Sequence, residues 1–148
     1  FIGQDVYMPS IIGESVGNIV VGVDTSGSIS SKEVQVFLSE LVGICKDVNP
    51  QSVELLYWGH HVAGHETYDR GNYESLLSST KVKDGGGTRA GCVSEYIRDK
   101  RLEPEAVIML TDGWVEDSWG APWNNPVLWV VTSNKTAPQG KTITLKEK

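Results

Sequence analysis

Asn18-Ile19-Val20-Val21-Gly22-Val23-Asp24-Thr25-Ser26-Gly27-Ser28 reads as a buried strand that runs out into a turn of carboxylate and hydroxyl side chains. From Ile19 to Val23 the run is almost wholly apolar and β-branched, without the alternation of a strand that has one wet face. Such runs are typical of strands buried on both faces, as in a parallel sheet. A second run of this kind, Ala106 to Thr111 (AVIMLT), ends in Asp112-Gly113. A third, Val127 to Thr132 (VLWVVT), follows a stretch containing Trp114, Trp119 and Trp123. In open α/β sheets ligands bind at the carboxyl ends of the strands, so Asp24 and Asp112 both fall on that edge.

Helices fit between these strands. Ser30 and Glu33 have capping-box spacing. Val34, Phe37, Leu38, Leu41, Cys45 and Val48 then repeat on one helical face, and Asn49-Pro50 stops the helix. Val53 to Trp58 predicts a strand, and Val62 to Tyr68 another, paired to it through the Gly59–His61 turn. Asn72 caps a short helix through Leu77. Asp84-Gly85-Gly86-Gly87-Thr88 is a glycine-rich loop before a helix from Arg89 to Lys100, with Ala90, Val93 and Ile97 on one face. Lys141 to Leu145 alternates as an edge strand does. Strands alternating with helices predict an α/β fold. The expectation is a Rossmann-like three-layer sandwich: a mostly parallel central sheet, helices on both faces and one antiparallel edge strand. Residues 18–148 form the domain. Residues 1–17, with a short strand at Val6–Met8 before Pro9, read as an extension or a junction to an upstream domain.

The chain of 148 residues fits one domain that buries a core without staples. A net charge of -6 argues against nucleic acid or an anionic membrane as partner and is compatible with cation binding. Cys45 and Cys92 read as small buried hydrophobes of a reducing compartment rather than a disulfide framework. No apolar run is long enough to span a bilayer. The expectation is a cytoplasmic domain, monomeric when isolated.

Ser26 and Ser28 lie just beyond Asp24, and Thr88 opens its helix on the same edge as Asp112. Five oxygen-bearing side chains can therefore converge. Two carboxylates with neutral hydroxyls suit a hard cation, Mg²⁺ best, with Mn²⁺ or Ca²⁺ as substitutes. Competing readings stand beside this one. The Asp24–Ser28 stretch is also ordinary turn chemistry. The glycine-rich loop could bind phosphate at a helix N-terminus, although it lacks the ending of a P-loop. His60, His61 and His65 could ligate zinc, although a surface turn suits their setting better. The tryptophans could simply cover the sheet.

Asp24-x-Ser26-x-Ser28, Thr88 after three glycines, and Asp112 in Leu-Thr-Asp-Gly resemble the metal-ion-dependent adhesion site of von Willebrand factor A (VWA) domains. The resemblance runs from about Asn18 to Leu145. It implies that Asp24, Ser26, Ser28 and Thr88 touch the metal directly or through water, and that Asp112 acts through a bound water. It further implies a non-catalytic, metal-dependent binding module that takes a carboxylate from an Asp or Glu of a protein partner. Trp114, Glu116, Asp117, Trp119 and Trp123 are expected to form the rim. A looser likeness is to the C-terminal VWA-like domain of bacterial and phage proteins with a metallopeptidase-like N-terminal part. Partners implied are an upstream domain or an AAA+ ATPase. Between Asp112 and Val127 the sequence departs from larger VWA domains, which have a helix there. Two other classes compete: a domain whose metal only stabilises the fold, and a hydrolase using Ser26 or Asp24. The second lacks a G-x-S-x-G elbow and a second acid two residues after Asp24.

Overall fold

The computed structural model describes residues 16–27, 29–78 and 87–145. The strand expected at Val6–Met8, Ser28, and residues 84–86 of the glycine-rich loop lie outside the described residues.

The chain runs β1 (Val16–Asp24), α1 (Ser31–Val48), β2 (Pro50–Trp58), β3 (Val62–Asp69), a 3-10 turn (Tyr73–Ser78), α2 (Gly91–Asp99), β4 (Ala106–Thr111), β5 (Val127–Val131) and β6 (Lys141–Thr144), with a second 3-10 turn at Ser118–Gly120. The six strands form one sheet in the order β3-β2-β1-β4-β5-β6. β1 pairs in parallel with both β2 and β4, and β5 and β6 continue the parallel array. β3 is the antiparallel edge, returning from β2 through the Gly59–His61 turn with a shift in register at Trp58.

Strand alternation splits the core in two. Ile19, Val21 and Val23 face α1 with Ile108, Leu110 and Phe37. Val20 faces the other way, with Leu56, Trp58, Met109, Trp129 and the α2 residue Val93. This is why β1 and β4 read as unbroken apolar runs. Gly22 serves the second face. A Cβ there would stand 2.6 Å from the Met109 sulfur and 3.1 Å from the Trp58 indole nitrogen, so only glycine leaves room for both.

α1 follows its sequence closely. Ser30 and Glu33 form the reciprocal capping box, with bonds of 3.1 and 3.0 Å. Asn49 ends the helix in the left-handed conformation, its amide on the Cys45 carbonyl at 2.7 Å. The expected apolar face is buried, with Val42 and Ile44 added and Val48 half-buried at its end. α2 is shorter than Arg89–Lys100, starting at Gly91, because Thr88 to Ala90 are held by other loops. The segment after Asn72 winds as a 3-10 turn rather than an α-helix, with the Asn72 carbonyl accepting from Ser75 at 3.1 Å.

Candidate functional site at the switch point of the sheet

The order in which strands are added reverses at the border of the parallel strands β1 and β4: from β1 the chain goes outward to β2, and from β4 outward to β5 on the other side. The loops after these two strands lead away from each other, and the carboxyl ends at such a border are the usual ligand position of such sheets. β1 delivers Asp24 there, and β4 delivers Thr111 and then Asp112.

Asp24 is wholly buried. Its Oδ1 accepts from the Ser26 amide at 2.8 Å, and its Oδ2 accepts from the Thr111 hydroxyl at 2.6 Å. The turn beyond it is tied to β2, where the Trp58 carbonyl accepts from the Thr25 amide at 2.7 Å and from its hydroxyl at 3.2 Å. Ser26 is buried in this turn, 1% exposed. Asp112 is 8% exposed and closes an Asx turn, its Oδ1 accepting from the Trp114 amide at 3.0 Å. Gly113 holds φ +89°, and a Cβ there would meet the Ser133 hydroxyl at 2.9 Å, so glycine is needed twice over. Thr88, 6% exposed, is held at its carbonyl by the Glu116 amide at 2.8 Å.

Burial pushes the Asp24 carboxyl above the ordinary aspartate range. The hydrogen bonds from Thr111 and Ser26 pull it back, and the negative charge of Asp112 pushes it up again. Asp24 at the end of β1 and Ser26, Thr88 and Asp112 on loops are all buried; Ser28 lies outside the described residues.

The rim differs from expectation. Trp114 is the exposed aromatic, at 63%, and the Lys135 ammonium lies 4.1 Å from its ring centroid. Glu116 is exposed, its carboxylate lying against Gly87, where a Cβ would come within 2.9 Å of an oxygen. The other three are engaged in packing or capping, and of them Trp123 corrects the expectation of an exposed ring. Trp123 is buried and forms part of the second core, edge-on to Trp129 at 5.7 Å. Trp119 is half-buried against the same ring at 5.1 Å. Asp117 turns inward to cap α2. The physical reason is coverage. α2 has only nine residues, so the loop between β4 and β5 covers what the helix leaves bare around Trp129. Gln139 fastens this loop, accepting from the Trp123 amide at 2.6 Å and donating to its carbonyl at 2.7 Å.

Sequence reading missed Lys135, which sits in a polar loop without any distinguishing pattern. It also missed Thr111, whose signal was available: a polar residue closing a wholly apolar strand beside an acid. The histidines separate. His65 lies between Glu54 at 2.5 Å and the Tyr96 hydroxyl at 2.8 Å, whereas His60 and His61 pack edge to face on the turn. Among the described residues no group of three or more His, Cys, Asp and Glu side chains is gathered for a metal. Two carboxylates with hydroxyls form a different kind of donor set. Cys45 and Cys92 are buried, and burial pushes the Cys45 thiol up to about 12.

Sheet order and helices define a doubly wound α/β domain whose strand order reverses at the β1/β4 border. Residues 19–146 match the model of the VWA-like domain family DUF2201, and the chain belongs to that family. No curated protein matches the chain. VWA-like domains are as a rule interaction modules rather than catalysts. No helix among the described residues is long and apolar enough to cross a membrane.

Proposed function

We propose that the chain is a metal-dependent protein-binding module that holds a divalent cation on Asp24, Ser26, Ser28, Thr88 and Asp112. The supporting observation is the pair of buried carboxylates at the ends of adjacent parallel strands, where burial makes the charge of Asp24 costly. The donor set fits a hard ion: two carboxylates supply charge, and hydroxyls supply neutral oxygen. When bound, Mg²⁺ (or Mn²⁺ or Ca²⁺) supplies a hard positive centre for a carboxylate oxygen from an Asp or Glu of the partner. Thr111 and the Ser26 amide orient Asp24, and the Asx turn orients Asp112. Trp114 and Lys135 form the rim, offering an apolar plate and a cation to an acidic partner. An upstream domain or an AAA+ ATPase fits this role.

A second reading has its own support. Asp24 is so deeply buried that an ion there could serve the fold alone. The test is calorimetry of Mg²⁺ and Mn²⁺ into metal-stripped wild type, Asp24→Ala and Thr88→Ala. One-to-one binding that both substitutions abolish supports the site, and binding indifferent to them sinks it. Asp24→Asn separates the two readings. Asparagine accepts from Ser26 and donates to Thr111, so it keeps both contacts and removes the charge. The folded carboxyl titrates above its unfolded value, so metal-free stability falls as pH rises from the ordinary aspartate range through that raised value. Asp24→Asn should therefore be the more thermostable metal-free chain at neutral pH. A binding site sacrifices that stability. A purely structural site predicts a metal-loaded wild type that needs its ion to fold.

A further inference from the structure

We infer that Asp117 is a positioning residue of this site, clamping the segment that carries Thr88 to the segment that carries Asp112. The inference rests on the metal-binding reading above.

α2 begins without a cap of its own, since Ala90 occupies the capping position and offers no side-chain acceptor. The free amides at its start go to Asp117 instead: Ala90 to Oδ1 at 3.0 Å and Gly91 to Oδ2 at 2.7 Å. One carboxylate thus serves two donors at the positive end of a helix, where charge-assisted bonds are strongest. Just upstream, the Thr88 carbonyl accepts from the Glu116 amide, and the Arg89 amide donates to the Gly59 carbonyl, both at 2.8 Å. From Thr88 to Gly91 the main chain is therefore fastened to other segments at each residue.

Packing closes the clamp. A Cβ on Gly120 would lie 2.7 Å from Gly91 Cα, and one on Gly91 would lie 2.8 Å from the Asp117 carboxylate, so the loop rests directly on the helix start. At the near end of the same loop, Asp112 is turned by the Trp114 amide. Four residues separate Asp112 from Asp117, which leaves little slack. Asp117 is committed to two backbone amides and acts on the ion through Thr88. A small hard cation demands near-ideal geometry, so a loosened Thr88 costs affinity.

The test titrates Mn²⁺ alone into the metal-stripped 148-residue chain, as wild type, D117N, D117A and I97V. Ile97 is buried on α2 away from the clamp and calibrates what general loosening of the helix does. Both Asp117 variants should bind Mn²⁺ about tenfold more weakly. I97V should lower the thermal midpoint and leave Mn²⁺ affinity within about twofold of wild type. A D117N affinity within that same margin of wild type, or an I97V loss as large as that of D117N, overturns the clamp. A wild type that binds no Mn²⁺ fails earlier and visibly: it removes the metal reading, and the clamp with it. If neither Asp117 variant folds, amide exchange in the wild type decides. Saturating Mg²⁺ should slow exchange at Ala90 and Gly91 about threefold or more, and unchanged exchange overturns the inference.

Discussion

Among the described residues, the two α-helices that flank the sheet are started by different means. α1 carries its start within itself, because Ser30 and Glu33 satisfy each other's backbone donors three residues apart. α2 borrows its start from Asp117, 26 and 27 residues further along the chain. The faces beneath them differ in the same way. Under α1 lies a continuous aliphatic core with Phe37 at its centre. Under α2 the core is shared between a short helix and a loop whose Trp119 and Trp123 close over Trp129. A locally started helix can form ahead of its surroundings. A helix started by a distant loop is complete only when the loop is in place, so on this face packing and site geometry are one problem.

The largest expected effect tests whether that face is shared. Trp129→Ala and Phe37→Ala should each cost about 3–5 kcal/mol in urea unfolding, the usual loss for a deleted core aromatic. Only Trp129→Ala should also open the loop, because it removes the ring against which Trp119 and Trp123 rest. Limited proteolysis reads this as new cleavage between residues 114 and 123. Equal loop cleavage in both variants, or none in Trp129→Ala, would mean that the loop is held by something other than the shared core.

The next effect compares the caps directly. Ser30→Ala should cost about 1 kcal/mol, as a neutral cap does. Asp117→Ala removes a charged acceptor from two amides and should cost about 2 kcal/mol. Chemical unfolding of the metal-free chains ranks them. A ranking with Ser30→Ala the more damaging would show that α2 starts well enough without its borrowed carboxylate.

What was legible in the sequence follows the same division. β1, β4 and α1 are specified by neighbours in sequence, through apolar runs, helical spacing and a capping box, and the structure has them within a few residues of expectation. The positions of Asp24 and Asp112 were legible because strand ends are legible, and the sheet order makes those two strand ends neighbours. The rim was misread where it depended on contacts across long separations. Nothing near Asp117 in sequence says that α2 lacks a cap, and nothing near Trp123 says that Trp129 lies uncovered. A tryptophan-rich loop reads as exposed until the face it covers is known. Lys135 shows the converse: its place over Trp114 arises only from the meeting of two loops.

The smallest expected effect concerns the other fastening at the start of α2. Arg89, one residue beyond Thr88, forks onto Glu95 with bonds of 3.0 and 2.7 Å. The geometry is bidentate, as in Asp117, but both side chains are partly open to solvent, at 33% and 45%. Screening and the entropy of two long side chains then leave an exposed pair worth within about 0.5 kcal/mol. The hydrogen bonds from Arg89, helped by its charge, hold the Glu95 carboxyl below the ordinary glutamate range. Its contribution is therefore complete above that range and disappears as pH falls through the depressed folded value. Glu95→Gln should lower the thermal midpoint slightly at neutral pH, and the gap from wild type should close toward acid. Melting curves across that interval check it, and a gap that persists in acid would show that Glu95 acts by packing rather than by charge. A Glu95→Gln effect as large as that of Asp117→Ala would also dissolve the distinction between a carboxylate that serves backbone amides and one that serves a side chain. What Asp117 serves sets the expected order: it accepts from the amides of Ala90 and Gly91, which are buried at a packed helix end, whereas Arg89 and Glu95 each have water as an alternative.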